Sequence, residues 1–71
     1  MKPGLYRHYK GKQYEVISVA RHSETLEELV VYKALYDSPD FGYGATWVRP
    51  KAMFEELVLV DGVMKKRFEK L

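Results

Sequence analysis

The segment RHSET, residues 21–25, places a guanidinium, an imidazole, two hydroxyls and a carboxylate in five consecutive residues between two apolar runs. Nucleophilic catalysis would need Ser23 or Thr25 to meet a base, here His22, in one pocket. Successive side chains of an extended segment point to opposite faces, so these neighbours do not converge on one reacting atom. We therefore predict no catalytic residue. An enzyme with His22 as general base and Glu24 as its orienting group stays the less favoured alternative.

A metal site would have to use the two histidines, His8 and His22, together with Glu24. Zinc requires three or four His, Cys or carboxylate ligands in tetrahedral geometry. The chain has no cysteine, which excludes the ligand set of a zinc deaminase, and the two histidines lie far apart along a predicted hairpin. We expect neither a metal nor another cofactor.

RHSET also has a purely structural interpretation. Ser23 or Thr25 can cap a turn formed by ETLEE, and Arg21 can pair with a carboxylate. A buried polar network that fixes the fold would equally require particular residue types. A binding site and a structural network therefore remain two open interpretations of this segment.

Cationic and aromatic residues alternate along the chain in a way that suits ligand binding. A ring can stack on a base while a cation holds phosphate, so the ligand would be a small anionic or nucleotide-like molecule or a short nucleic acid. Trp47 has a competing interpretation as core, because a small domain needs its largest side chain inside. The predicted binding surface consists of seven residues: His8, Lys10, Arg21, His22, Glu24, Trp47 and Arg49.

The net charge of +2 is small but unevenly distributed. Residues 1–22 carry five cations against Glu15 alone, whereas residues 23–46 carry Lys33 against five carboxylates. Such a dipolar molecule suits a modest anion-binding surface, and it lacks the heavy basic excess typical of nucleic-acid proteins. It also suits the alternative function, a protein-interaction module that acts through a strand edge or as a homodimer.

Short strands must position these residues. LYRHYKGKQYEVISVA predicts a hairpin around Gly11 in which facing residue numbers sum to 22, so that His8 meets Tyr14. LVVYKALY predicts a central strand, DSPDFGYGA a loop, and TWVRP a short strand followed by one helical turn in PKAMFEEL. VLVDGVMKKRF predicts a hairpin around Asp61-Gly62. The fold is expected to be mainly β, either a small antiparallel SH3-like barrel or a strongly twisted sheet with one short helical turn.

Length and composition predict a single domain over residues 1–71 with a small core, worth about 3 to 5 kcal/mol of net stability. The absence of cysteine favours a reducing cytoplasm. No apolar run approaches the roughly 20 residues of a membrane span, so we expect a cytoplasmic protein with no membrane partner.

Four strings together closely resemble the bacterial family catalogued as domain of unknown function 1653: GLYRHYKGKQYEV, VARHSETLEELVVYKALY, WVRPKAMFEELV and the final RF. The match covers nearly the entire chain, and DSPDFGYGAT fits it least. The resemblance implies a small bacterial domain rich in β structure, with no established reaction. It also marks polar positions that a simple fold does not explain: His8, Lys10, His22, Glu24, Arg49 and Arg67.

Overall fold

The computed structural model describes residues 1–71. Along the chain the elements are β1 (Gly4–His8), β2 (Gln13–Arg21), β3 (Glu28–Ala34), β4 (Asp37–Ser38), β5 (Gly42–Tyr43), β6 (Thr46–Pro50), α1 (Lys51–Phe54), β7 (Leu57–Val60), β8 (Val63–Lys66) and β9 (Phe68–Lys70). Five strands form an antiparallel sheet in the order β6-β3-β2-β1-β9, while β4–β5 and β7–β8 are separate hairpins. The predicted mainly β fold with one helical turn is confirmed. Of its two forms, the open twisted sheet is present: β6 and β9 end the sheet at opposite edges, and no SH3-like barrel closes.

The first hairpin forms around the predicted glycine, but its register differs from the prediction by two residues. Tyr6 lies opposite Tyr14, so facing numbers sum to 20. The loop is the reason, because the His8 amide donates to the carbonyl of Lys12 at 2.8 Å and three residues turn the chain between them. Gly11 takes the left-handed backbone (φ 106°) that such a loop requires. A shift of two leaves each side chain on its predicted face.

The central position of β3 is confirmed, since it lies between β2 and β6. A bulge between Val16 and Ser18 interrupts β2 where it pairs with β3. Beyond this bulge Val19 lies opposite the buried Val30. The predicted alternation, which put Ser18 and Ala20 on the face of Val16, is therefore wrong after Val16, because a bulge adds one residue and reverses the faces.

The core is a layer of aromatic rings between the sheet and α1. Phe54 of α1 stacks on Phe68 of β9, with ring centroids 4.0 Å apart and planes nearly parallel. Tyr6 and Tyr32 meet Phe54 edge-on at 5.7 and 5.5 Å. Pro50 precedes this helical turn, as predicted. The buried residues are Tyr6, Val16, Val30, Tyr32, Ala34, Phe54 and Phe68.

Of the two hairpins outside the sheet, the sequence predicted β7–β8 but not β4–β5. Asp61 and Gly62 both have positive φ (49° and 78°), as the predicted turn between β7 and β8 requires. The segment predicted as a loop contains instead the two-residue strands β4 and β5. The radius of gyration, 12.7 Å, exceeds the about 11 Å expected for this length, consistent with a β7–β8 hairpin that stands apart from the main sheet. None of the helical structure is long and apolar enough to span a membrane.

Candidate functional site

The fold separates the seven predicted binding residues: His8 and Lys10 lie at one end of the sheet, residues 21–24 lie at the other, and Trp47 and Arg49 lie in β6. His8 ends β1, and the turn that follows it carries Lys10. The segment 21–24 begins with the last residue of β2, roughly 30 Å from His8 along a strand that rises about 3.3 Å per residue. Arg49 lies in β6 but extends over the aromatic layer, with its guanidinium carbon 5.8 Å from the centroid of the Phe68 ring. One surface made of all seven residues is therefore absent.

The RHSET segment is an exposed connection between β2 and β3, held by its own hydrogen bonds. His22 Nδ1 accepts the amides of Glu24 and Thr25 at 3.1 and 3.3 Å. Arg21 Nη1 donates to the carbonyl of Leu26 at 3.0 Å, and Thr25 Oγ1 accepts the Glu27 amide at 3.2 Å. Because these residues are exposed, the segment is not a buried polar network. Thr25 caps the turn through Oγ1, as predicted for Ser23 or Thr25. His22 Nδ1 accepts backbone amides of the turn, so this atom is not bonded to a carboxylate that could orient the ring for catalysis.

Trp47 is half-exposed, at 39% of its full accessible area, so the expectation of a buried Trp47 is wrong. It lies opposite Tyr32 in the sheet and packs edge-on against Phe41 at 5.1 Å. Phe54 and Phe68 fill the core instead, since the helical turn brings one ring directly over the other.

His8 lies where β1, β9 and the first turn meet. Its ring packs against Tyr9, with centroids 4.5 Å apart, and edge-on against Phe68 at 4.9 Å. Its Nδ1 accepts the amide of Lys10 at 3.1 Å, so the neutral ring carries its proton on Nε2, where it can donate. Burial lowers the pKa of His8 from 6.5, and three cations lower it further: Arg67, Arg49 and Lys10. A neutral imidazole therefore faces a positive environment.

Next to this ring lies a groove of about 470 Å³ between β1, the first turn and β8. Three permanent cations line it, Arg7, Lys65 and Lys66, against the single carboxylate of Glu69. Arg7 and Glu69 form only a long ion pair, 3.8 Å, between exposed side chains, and such pairs hold a side chain weakly. The remaining lining is His8, Tyr9, Gly11 and Met64. The volume lies within the range of small-molecule sites, and the charge favours an anion.

Arg67 fixes the wall of this groove. Its Nη2 donates to Glu56 Oε1 at 2.9 Å, and its amide donates to the carbonyl of Glu56 at 3.0 Å. Its own carbonyl accepts the amide of Tyr9 at 2.9 Å. The base of the β7–β8 hairpin is thereby joined to the turn after β1. The buried Nε of Arg67 has no partner.

Tyr14 and Tyr36 add a polar contact to the aromatic layer. Their hydroxyl oxygens lie 2.9 Å apart, and Lys12 Nζ lies 4.2 Å from the centroid of the Tyr36 ring. Burial, followed by the hydrogen bond to Tyr36, raises the pKa of Tyr14 well above 10.0. The phenol stays protonated at neutral pH and acts as a structural hydrogen-bonding group.

The groove contains residues that the sequence interpretation did not select. Of the predicted set His8 lines it and Lys10 is bonded to His8, whereas Arg7, Tyr9, Lys65 and Lys66 were not predicted. The run of cations Lys65-Lys66-Arg67 was the available signal, since it lies in the second strand of the hairpin predicted around Asp61-Gly62. Nowhere does the structure gather three or more His, Cys, Asp or Glu side chains in a group that could hold a metal ion.

Comparison with known proteins gives one family. The family model described as "Protein of unknown function (DUF1653)" matches residues 4–70. The crystal structure of a DUF1653 protein from Bordetella bronchiseptica is similar, with a TM-score of 0.88 and 34% identity, and the match covers 100% of this chain and 87% of that one. No curated protein matches. The chain therefore belongs to the DUF1653 family, whose function is unknown.

Proposed function

We propose that this protein is a small binding module that holds an anionic, nucleotide-like ligand in the groove beside His8. The observation that carries the proposal is the excess of cations in one concave site, with Arg7, Lys65 and Lys66 around a volume of about 470 Å³. Their charges act together on a ligand that enters between β1 and β8, because a concave surface concentrates the field of its walls.

The aromatic ring of Tyr9 and the imidazole of His8 favour a ligand that carries a ring or a sugar as well as a negative charge. Tyr9 is exposed and stacks at a tilt on His8, which offers the ring face that a base or sugar can contact. The neutral His8 ring provides an Nε2 donor, and an anion beside it favours its protonation, which would add a further positive charge. Phosphorylated small molecules combine these features.

The proposal is tested by titrating the labelled protein with inorganic phosphate and following the backbone amides by two-dimensional NMR at low salt. We expect shifts at residues 7–11 and 64–66. Replacing Lys65 by glutamine should weaken binding about fivefold, from the ~1 kcal/mol of an exposed charge pair, and should reduce the salt dependence.

Lys51→Gln is the matched control, because it removes the same charge from a residue that does not line the groove and lies instead 3.9 Å from Glu28. Its affinity should equal that of the unchanged protein. Equal weakening by both substitutions would mean that phosphate responds only to net charge, and the absence of shifts at residues 7–11 would reject the groove as an anion site.

A second candidate function, self-association, is favoured by the β7–β8 hairpin. The outer edge of β7 pairs with no strand, and its residues Leu57–Val60 carry no charge. Natural proteins protect such an edge with charges, as Lys65 and Lys66 do in β8. Leu59 is 69% exposed. Two copies that pair through β7 with Leu59 opposite Leu59 would bring no carboxylates face to face, because Asp61 of each copy meets Leu57 of the other.

Sedimentation at a low and a high protein concentration tests this second candidate. A dimer that forms at the higher concentration and is abolished by Leu59→Lys, but not by Phe41→Lys at the exposed position between β4 and β5, would support pairing through β7. A protein that remains monomeric at both concentrations would reject it.

A further inference from the structure

A second concave site lies on the other side of β9, and its chemistry differs from that of the groove. Its volume is about 230 Å³, and three rings of the core form its floor: Tyr6, Phe54 and Phe68. Lys66, Lys70 and Glu55 stand around its mouth, together with Met1. The floor is apolar and the mouth is charged, an arrangement that suits a flat apolar group attached to a polar one.

This aromatic pocket opens directly onto the core. Phe54 and Phe68 are 1% and 5% exposed, and they form the stacked pair that holds α1 on the sheet. A flat apolar group in the aromatic pocket would contact the small exposed parts of these rings and would itself be removed from water.

The aromatic pocket and the cationic groove meet at Lys66, which lines both. β9 separates them, since Phe68 and Lys70 face the pocket and Glu69 between them faces the groove. The β8 strand forms a wall of each, through Lys66 in the pocket and through Met64, Lys65 and Lys66 in the groove. A single ligand that passes Lys66 can therefore contact both.

We propose that the two cavities form one bipartite site, in which the groove holds a phosphate and the aromatic pocket holds a flat ring of the same molecule. The ligand class is a phosphorylated molecule with a planar apolar or aromatic group, such as a nucleoside monophosphate. This inference rests on the proposed anion-binding function. It adds that the core rings Tyr6, Phe54 and Phe68 select for a ligand with a flat ring.

The test compares three probes that share a phosphate: inorganic phosphate, ribose 5-phosphate and AMP. Amide shifts and affinities are measured by NMR on the full chain. We expect all three to shift residues 7–11 and 64–66, and only AMP to shift Phe54, Phe68 and Lys70 as well. AMP should bind at least tenfold more tightly than ribose 5-phosphate, because only its ring enters the aromatic pocket.

A pair of matched variants tests whether the aromatic pocket is the source of the tighter binding of AMP. Glu55→Trp places an indole at the pocket mouth from an exposed position, and Asp40→Trp makes the same change of charge and a similar change of size at an exposed position that lines neither cavity. We expect Glu55→Trp to remove the advantage of AMP while phosphate affinity remains, and Asp40→Trp to leave both unchanged. An unchanged AMP advantage in a folded Glu55→Trp protein would overturn the inference.

The probe series separates failure of this inference from failure of the proposed function. If AMP and ribose 5-phosphate bind equally and shift only the groove, the bipartite site is wrong and the anion site stands. If no probe shifts the amide signals of the groove residues, the anion site and the bipartite site are both wrong.

Discussion

Replacing Phe68 with alanine should leave the domain largely unfolded at 25 °C. The Phe68 ring stacks on Phe54 at 4.0 Å and meets Tyr14, Tyr32 and His8 edge-on at 5.5, 5.8 and 4.9 Å. A large aromatic to alanine change in a core costs about 3 to 5 kcal/mol. A domain of this size has only about that much net stability.

Circular dichroism and urea titration measure this effect. Phe41→Ala is the matched control, since it removes the same ring from a loop position that is 62% exposed, and its unfolding midpoint should change little. A Phe68→Ala protein that retained a cooperative transition near that of the unchanged chain would show that the stacked pair is not the centre of the core.

Replacing Arg67 with alanine should lower the free energy of unfolding by about 2 kcal/mol and should also weaken phosphate binding at the groove. The substitution removes the hydrogen-bonded ion pair with Glu56 and the packing of a side chain that is only 23% exposed. The variant keeps both backbone bonds of residue 67, to the carbonyl of Glu56 and from the amide of Tyr9, but it loses the side-chain ion pair that braces the base of the β7–β8 hairpin. We expect the groove wall formed by Met64, Lys65 and Lys66 to be held less rigidly as a result.

Arg7→Ala provides the contrast that separates a positioning role from direct binding. Arg7 pairs weakly with Glu69 at 3.8 Å and is exposed, so its loss should cost less than about 0.5 kcal/mol of stability. It should nevertheless weaken phosphate binding, because Arg7 lines the groove. Arg67→Lys should recover part of the stability lost in Arg67→Ala. Equal stability of Arg7→Ala and Arg67→Ala would contradict the positioning role of Arg67.

Local rules predicted most of the elements from the sequence. Asp61-Gly62 and Gly11 mark turns, Pro50 marks the start of a helical turn, and the apolar run around Val30 marks a central strand. These features depend on residues close together in the chain. The bulge after Val16 was not predictable in this way, because the alternation along β2 gives no sign of an extra residue until its pairing with β3 is known.

The candidate site was predicted much less completely, since it depends on long-range pairing. His8 and Lys10 were selected from the sequence, but Lys65 and Lys66 meet them only because β9 pairs with β1 and brings the preceding hairpin alongside. The prediction instead grouped His8 with His22, which the length of β2 keeps at the opposite end of the sheet. Residue types indicated which chemistry was present, and the order of the strands determined which residues share a surface.

The pairing of β1 with β9 also affects how the chain folds. Tyr6 lies opposite Lys70, so β1, the first strand of this domain to be synthesised, can pair with β9 only after all the other strands have been made. Phe68 enters the core in the same step, which means that the nascent chain lacks its stacked aromatic pair until synthesis has passed β9. Contacts of such large sequence separation slow folding, because a long loop must close before they form. Folding of this domain is therefore a late event, and its apolar hairpins remain exposed to chaperones and to other chains until then.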